Sequence, residues 1–323
     1  MTKVLVTGGT GFLGSALVKL LLRKKKKVVI FDNNFRGSYK NIQMLKNKIN
    51  FVKGDIRNFN SIKKALKNVN EVYHLAFING TSNFYSKPKL VMDVGIKGTM
   101  NLLDAINTNN NVKKFIYASS SEIYQDPKIL PTPENVFAKL PDTINPRYSY
   151  ASSKILGEVL TYNYLRRDLK KIIFRPHNIY GPAMGFEHVI PEIVKKIMKQ
   201  TKSLELNKCV IEIQGNGLES RSFCYVDDAV EGILLTANKG KNREIYNIGN
   251  QDEIKIKHLI NKIAKILNIK VKIKSGKLQK GSASRRVPDI KKLKKLGYKS
   301  LNSLEIGLIK TVNWYKDYYS KND

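Results

Sequence analysis

The stretch VTGGTGFLGSALV, residues 6–18, holds the cluster of glycines that decides the fold. An apolar run leads into Gly8, Gly11 and Gly14, and apolar residues at helical spacing follow from Ser15. In a strand–turn–helix, such glycines permit a tight turn, let the backbone approach a pyrophosphate, and let the helix pack on the strand. Free N–H groups at the helix N-terminus then favour the phosphates. The pattern predicts a dinucleotide site, with a purely structural glycine turn as the alternative.

An acidic residue follows at the expected distance from this turn. Asp32 ends the second apolar run, KVVIFD, at 27–32. A carboxylate about 20 residues after such a turn is placed to accept hydrogen bonds from the adenosine ribose diol. It would repel a 2′-phosphate, so NAD is favoured over NADP, although the nearby Arg36 weakens this preference.

Short apolar runs alternate with helical patterns along the first half of the chain. Helical spacing covers 15–23 and the region around 98–107. Strands are predicted at 3–8, 27–32, 49–56, 71–76, 113–120 and 171–181. Apolar strands that alternate with helices are typical of a parallel sheet covered on both faces. We therefore predict an α/β fold with a Rossmann-type doubly wound parallel sheet.

The pattern becomes less regular after Tyr180. Helices are predicted at 188–200 and 225–238, strands at 210–217 and 244–250, and a Gly/Ser/Arg loop at 275–286. We assign the NAD-binding domain to residues 1–176 and 222–248, and a smaller α/β C-terminal substrate-binding domain to residues 177–221 and 249–323. The chain then crosses between the two domains more than once.

Length and composition limit the class of protein. The chain has 323 residues, 42% of them hydrophobic, which is enough to form one or two cores. No apolar run approaches the roughly 18–20 residues that span a bilayer, the start is unlike a signal peptide, and the two cysteines have no metal-ligand spacing. We expect a cytoplasmic protein without a metal. The net charge of +32 is scattered and mostly lysine, so it does not favour a nucleic-acid partner.

Two further stretches carry groups suited to proton transfer. PRYSYASSKILGE, residues 146–158, places Tyr150 and Lys154 four apart on one helix face. A lysine one turn from a tyrosine, near the positive charge of a bound nicotinamide, would lower the phenol pKa and make it a base. In YASSSEIYQDP, Ser120 ends a strand at the carboxyl edge of the sheet, where ligands bind in such folds.

With these motifs the sequence resembles the extended short-chain dehydrogenases/reductases, in the nucleotide-sugar epimerase/dehydratase group. The resemblance covers nearly the whole chain. Its motifs here are TGGTGFLG, GDI, HLA, SSSEIY, YASSK, RPHNIYGP, RSFCYVDDAVEGI and RRVPD.

The resemblance implies specific roles for site residues. NAD would be held by Gly8, Gly11, Phe12, Leu13, Gly14, Asp32, Asn33, Asp55, Ile56, Leu75, Ala76, Tyr150 and Lys154. Catalysis would be carried by Ser120, Glu122, Tyr150 and Lys154. A nucleotide-diphosphate sugar would be held by Ser121, Arg147, Asn178, His188, Val189, Arg221 and Arg285, with Arg286 the alternative to the last. The resemblance also implies a homodimer through helices around 91–107 and 150–167.

Glu122 separates the possible reactions. A 4-keto sugar has an acidified C5 hydrogen, and a carboxylate above it removes that proton so that water leaves from C6. This favours an NDP-hexose 4,6-dehydratase, although Ser121 stands where some dehydratases carry an aspartate and Gln125 where the group usually has glycine. A 4-epimerase is the second interpretation. Arg147 favours a third, a C6-decarboxylase, because it could face the carboxylate of a uronic acid. A non-catalytic NAD- or RNA-binding protein is the alternative from another class.

Overall fold

The structure is a computed structural model that describes residues 1–204, 207–277 and 284–322. Its strands are β1 (Lys3–Thr7), β2 (Lys27–Asp32), β3 (Ile49–Lys53), β4 (Glu71–His74), β5 (Lys114–Ala118), β6 (Lys170–Pro176), β7 (Ile179–Tyr180), β8 (Lys208–Gln214), β9 (Ser220–Ser222), β10 (Cys224–Tyr225), β11 (Glu244–Ile248), β12 (Glu253–Lys255), β13 (Lys270–Gly276) and β14 (Arg285–Arg286).

Helices separate most of these strands. They are α1 (Phe12–Arg23), α2 (Phe59–Ala65), α3 (Thr81–Ser86), α4 (Pro88–Met92), α5 (Thr99–Asn107), α6 (Tyr148–Asn163), α7 (Val189–Leu204), α8 (Val226–Lys239), α9 (Ile256–Leu267), α10 (Lys291–Lys295) and α11 (Leu304–Asn322). A π-helical segment, Asp93–Gly98, joins α4 to α5. Among the described residues, no helix combines the length and the apolarity needed to cross a bilayer.

The predicted parallel α/β sheet is confirmed. Seven strands pair in the order β11-β6-β5-β4-β1-β2-β3, and every pairing between neighbours is parallel. β1 lies between β2 and β4, with Val4 opposite both Val28 and Glu71. The chain therefore leaves β1 in one direction for β2 and β3, and in the other for β4 and β5. A crevice opens at the carboxyl ends of the strands where the order reverses, and ligands bind there in such sheets.

Three apolar clusters form the core. Two of them cover the opposite faces of the main sheet, one against α5 and the other against α1 and α8. The third lies among α7, β8, α9 and α11 and contains Ile193, Ile211, Ile263 and Val312. This third cluster is built from chain that follows the sixth strand of the sheet. The division into two domains at the predicted boundaries stays a prediction.

Several predicted boundaries shift for identifiable reasons. The predicted strand 49–56 ends at Lys53, and the predicted strand 171–181 divides into β6 and β7 because Asn178 takes a φ of 41°. α1 begins at Phe12, before the first residue of the predicted apolar pattern. The π-helical segment was not predicted. Of the predicted loop 275–286, residues 278–283 lie outside the described part of the chain, and its two ends belong to strands β13 and β14.

The glycine turn allows a direct test of the fold. A Cβ at Gly14 would lie 2.1 Å from the carbonyl oxygen of Gly8, so α1 could not keep its approach to the turn. We expect Gly14→Ala to lower the free energy of unfolding by about 1–3 kcal/mol and to weaken NAD binding. Thermal unfolding with and without NAD measures both effects. The control is Gly232→Ala, whose Cβ would meet only side chains, at 3.3 Å or beyond. Unfolding and NAD affinity equal to wild type in Gly14→Ala would show that the turn does not need this glycine.

Candidate active site

The backbone of the glycine turn touches the loop after β4. Gly8 has a φ of 74°, and a Cβ there would lie 2.7 Å from the backbone nitrogen of Ala76. Only glycine combines this left-handed conformation with so close an approach. The turn then leads into α1, whose first turn contains the predicted residues Phe12, Leu13 and Gly14. The turn and the helix N-terminus therefore form the rim of a cavity.

That cavity brings most of the predicted cofactor residues together. Its lining includes Gly8, Gly11, Asp32, Asn33, Asp55, Ile56, Leu75 and Ala76. The buried Asp32 carboxylate accepts hydrogen bonds from the backbone N–H groups of Thr10 (3.0 Å) and Asn34 (2.8 Å), which fix it at the end of β2. The Asn33 amide donates to Asp55 at 3.1 Å. A glycine turn at a helix N-terminus with an acid beside it fits the pyrophosphate and ribose of NAD.

Arg36 lines the same cavity but points elsewhere. Its guanidinium lies 3.4 Å from the carboxylate of Glu187, which also accepts a hydrogen bond from the Ser82 hydroxyl at 2.6 Å. Arg36 is thus directed to an ion pair instead of to Asp32. Arg36 therefore opposes the preference for NAD over NADP less than the sequence suggested. The contact between Arg36, Ser82 and Glu187 was missed by sequence reasoning, because the three residues are far apart in the chain.

Tyr150, Lys154 and Ser120 meet at the carboxyl end of β5. Tyr150 and Lys154 lie one turn apart on α6, and both are almost entirely buried. The Lys154 ammonium donates to the carbonyl of Ala118, the last residue of β5, at 2.6 Å. Ser120 lies beside Tyr150, where its side chain lowers the pKa of the phenol, and the Ser120 hydroxyl accepts a hydrogen bond from the Glu122 N–H at 3.1 Å. The three predicted groups therefore form one connected site.

Burial is the main influence on the pKa values of Tyr150 and Lys154. Burial raises the pKa of Tyr150 well above its ordinary range, and the side chain of Ser120 offsets only part of that rise. Burial also lowers the pKa of Lys154 to about 7, although Glu158 acts in the opposite direction. The depression of the Tyr150 pKa was expected beside a bound oxidised nicotinamide and stays a prediction, because in the protein alone burial prevails. A phenolate at neutral pH requires the positive charge that the oxidised nicotinamide adds when NAD is bound.

Glu122 lies in a cluster of arginines. The Arg286 guanidinium forms an ion pair and hydrogen bond with Glu122, and Arg147 lies 3.9 Å from its other oxygen. Burial alone would raise the pKa of Glu122, but the charge and hydrogen bond of Arg286, with Arg147 and Arg221, hold it below its ordinary value. Arg285 instead pairs with Glu253 and is half exposed. Of the two arginines in RRVPD, the second reaches Glu122.

A second, larger cavity of about 690 Å³ adjoins this cluster. Its lining includes the predicted substrate residues Arg147, Asn178, His188, Val189 and Arg221, but neither Ser121 nor Arg285. The Asn178 amide donates to the Ser222 carbonyl at 3.0 Å, and the Arg221 guanidinium donates to the Ser220 carbonyl at 2.7 Å. Burial, followed by Arg286, lowers the pKa of Arg221 to about 10. The lining carries four cationic side chains, Arg147, Lys195, Lys196 and Arg221, against three glutamates, Glu187, Glu192 and Glu219, a small positive excess that favours an anionic ligand.

The fold and the two cavities define a dinucleotide-binding protein with a Ser–Tyr–Lys site at the carboxyl edge of a parallel sheet. Residues 4–249 match the model of the NAD dependent epimerase/dehydratase family. The chain therefore belongs to this family and is an NAD-dependent enzyme. The predicted resemblance and cofactor are confirmed.

Relatives within the family catalyse different reactions. The chain is 31% identical to the UDP-N-acetyl-α-D-glucosaminuronate decarboxylase of Bacillus cytotoxicus, over 98% of both chains. It is 27% identical to the UDP-glucose 4-epimerase of Thermotoga maritima, with a TM-score of 0.87 over 98% of this chain and 100% of that one. It is 25% identical to the dTDP-glucose 4,6-dehydratase DesIV of Streptomyces venezuelae with NAD bound, with a TM-score of 0.86 over 99% and 98%.

The role of Tyr150 can be tested by removing its hydroxyl oxygen. Tyr150→Phe removes the hydroxyl that we expect to take the sugar proton and leaves the ring in place. We expect turnover to fall by about 10²–10⁴-fold, while the affinity for NAD stays within about twofold, since the hydroxyl adds only one of many cofactor contacts. Steady-state kinetics and titration with NAD measure the two quantities. Equal turnover in Tyr150→Phe and wild type would mean that this phenol is not the base.

Proposed function

We propose that the protein is a nucleotide-sugar decarboxylase that removes the C6 carboxylate of an NDP-uronic acid through a 4-keto intermediate. The observation that carries this proposal is the position of Glu122 between Arg147 and Arg286. The sequence alone ranked the 4,6-dehydratase first. The arrangement of charges supports decarboxylation better, for two reasons.

The first reason is an excess of positive charge with unused donors. Arg147 and Arg286 each keep only 11% of the side chain exposed. Within the described residues, the buried Nε of each has no hydrogen-bond partner. Arg221 adds a third positive charge, and the carboxylates of Glu122 and Glu219 offset part of this positive charge. A guanidinium recognises a carboxylate through two parallel hydrogen bonds, so this cluster suits a substrate that carries an acid at C6.

The second reason is the protonation state of Glu122. A dehydratase needs a group that protonates the C6 hydroxyl as it leaves. The Arg286 ion pair outweighs burial and lowers the pKa of Glu122, so this carboxyl is ionised near neutral pH and could protonate the C6 hydroxyl only after it had taken the C5 proton. The neighbouring Ser121 is a weak acid and starts a buried turn, outside the lining of the large cavity. Decarboxylation needs no acid at C6.

The residues would divide the reaction as follows. NAD, when bound, supplies a reversible hydride acceptor at C4. Tyr150 takes the O4 proton as C4 becomes a ketone, and Ser120 holds the same oxygen through its hydroxyl. The C6 carboxylate is then β to a ketone. The C5–C6 bond breaks and carbon dioxide leaves. The electron pair of that bond forms a C4–C5 double bond, which gives an enolate with its negative charge on the C4 oxygen. The enolate takes a proton from water at C5, and Tyr150 returns its proton to O4 as C4 is reduced.

The product identifies the reaction. We expect purified protein incubated with UDP-glucuronate or UDP-N-acetylglucosaminuronate to release carbon dioxide and form the corresponding pentose nucleotide, detected by mass spectrometry. UDP-glucose and dTDP-glucose are the matched substrates with a hydroxyl at C6. Loss of water from either would identify a dehydratase instead. An unchanged mass with inverted C4, read by proton NMR, would identify an epimerase.

The cationic cluster allows a substitution test with a neighbouring control. We expect Arg286→Met to lower kcat/KM for the uronate by about 10–100-fold, because a charged hydrogen bond contributes about 1.5–3 kcal/mol. The affinity for UDP-glucose, measured as a competitive inhibitor, should change far less. Arg285→Met is the matched control, since its side chain pairs with Glu253 and not with Glu122. Equal losses for both ligands, or a larger effect at Arg285, would show that Arg286 does not read the carboxylate.

We also propose the predicted homodimer. Exposed apolar residues lie on both of the elements expected at its interface, Met92 and Met100 on α4 and α5, and Leu156 and Val159 on α6. α4 and α6 pack against one another, so these residues belong to neighbouring elements. Burial of such a surface against a second copy would stabilise the pair. The cytoplasmic location expected from the sequence stays a prediction.

A further inference from the structure

The ring of Phe77 lies directly over the Lys154 ammonium. Phe77 follows Ala76 after β4 and lines the cofactor cavity. The Lys154 Nζ is 3.7 Å from the centre of the Phe77 ring. The same ring meets Tyr150 edge-on, with 5.1 Å between ring centres and an angle of 83°. One aromatic side chain thus contacts both groups of the proton-transfer pair.

The neighbouring chain makes room for this ring. A Cβ at Gly95 would lie 2.4 Å from Cζ of Phe77 and 2.9 Å from Cβ of Ser153. Gly95 belongs to the π-helical segment Asp93–Gly98, and π-helical turns occur frequently at functional sites. The Gly95 carbonyl accepts a hydrogen bond from the Thr99 hydroxyl at 2.7 Å, which holds this segment in place. The position of Phe77 therefore depends on the absence of a side chain at residue 95.

Few other groups stabilise the ammonium. Lys154 is 3% exposed and donates to one backbone carbonyl, that of Ala118. Glu158 favours its charged form from one turn along α6, but the carboxylate is itself paired with Arg175. The rings of Tyr117 and Tyr150 also lie near the ammonium, with centres 5.2 and 5.7 Å from Nζ, but farther than the ring of Phe77. His74 of β4 is close enough for Lys154 to lower its pKa. Burial lowers the pKa of His74 to about 3 and raises that of Tyr117, so both are neutral.

We propose that Phe77 is a positioning residue, whose ring face holds the Lys154 ammonium in its charged form beside Tyr150. An aromatic face attracts a cation through its quadrupole, and the attraction is strongest where water is excluded. The proposal rests on the roles proposed above for Tyr150 and Lys154. It adds a group that favours the charged form of a lysine with little compensating charge, whose pKa burial lowers.

The direct test is the pKa of Lys154 in Phe77→Leu. The protein is prepared with isotope-labelled lysine, the NMR signal of Lys154 is assigned by its absence in Lys154→Met, and the signal is titrated with and without NAD. Loss of the ring destabilises the ammonium, so we expect the pKa to fall by about one unit. Phe84→Leu is the control, because Phe84 stacks on Tyr150 at 4.7 Å without lying over Lys154. An equal pKa in wild type and Phe77→Leu would overturn the proposal.

Two further variants separate electrostatics from packing. Fluorinated phenylalanines at position 77 keep the ring shape and weaken the negative face, so the Lys154 pKa should fall stepwise with fluorine number. Gly95→Ala should displace the ring and reproduce the effect of Phe77→Leu, and it should add little in the double variant. A Lys154 pKa that does not change with fluorination would contradict a role through the ring face. Fully additive effects of Phe77→Leu and Gly95→Ala would contradict it as well.

Activity gives a separate readout. If protonated Lys154 is needed for turnover, the alkaline limb of kcat/KM against pH should move to lower pH in Phe77→Leu by the same amount as the measured Lys154 pKa. A protein without turnover on any nucleotide sugar would refute the proposed function and leave the NMR result standing. Turnover with an unmoved Lys154 pKa in Phe77→Leu would refute the role of Phe77 alone.

Discussion

The arrangement of this active site depends on the hydrogen bond from the buried Lys154 ammonium to the carbonyl of Ala118. It joins α6 to the last carbonyl of β5, so the helix that carries Tyr150 is fixed to the edge of the sheet where the cofactor cavity opens. Burial disfavours the charged forms of both Tyr150 and Lys154, since it raises the pKa of the phenol and lowers that of the ammonium. A single added positive charge beside the phenol, such as that of oxidised NAD, then has a large effect because little water screens it. In the protein alone the Tyr150 phenol is therefore neutral at neutral pH.

A buried network connects this helix to the turn that carries Glu122. Arg175 at the end of β6 pairs bidentately with Glu158 of α6, at 2.9 and 2.7 Å, and also donates to the Tyr124 hydroxyl at 2.7 Å. Tyr124 closes the short turn that begins after Ser120, and it donates in turn to Asn247 of β11. Such a network is stable only when each member is satisfied. It therefore fixes the spacing between the proton-transfer pair and Glu122, and with it the substrate atoms that each group can reach.

Sequence reasoning succeeded where local pattern and chemistry agree. The glycine turn, the strand ending at Asp32 and the Tyr–Lys pair each carry their signal within one or two elements, so their placement followed from spacing alone. Boundaries failed where single residues override propensity. Asn178 takes a left-handed conformation that divides one predicted strand into two. The π-helical segment around Gly95 packs closely on Phe77, a contact that no local pattern in the sequence indicates.

The sequence by itself determined the parallel sheet, the nucleotide cavity and the identity of the Ser–Tyr–Lys site, because these depend on periodicity and on residue types at short range. Only the tertiary structure decided which charges meet. It brought Arg286 to Glu122 across 164 residues, directed Arg285 to Glu253, and turned Arg36 toward Glu187. Which ion pairs form depends on where loops from distant parts of the chain come together. Coulomb energies change steeply with separation in a partly dehydrated site. No spacing rule in the sequence could therefore give the protonation state of Glu122 or the net charge of the arginines around it.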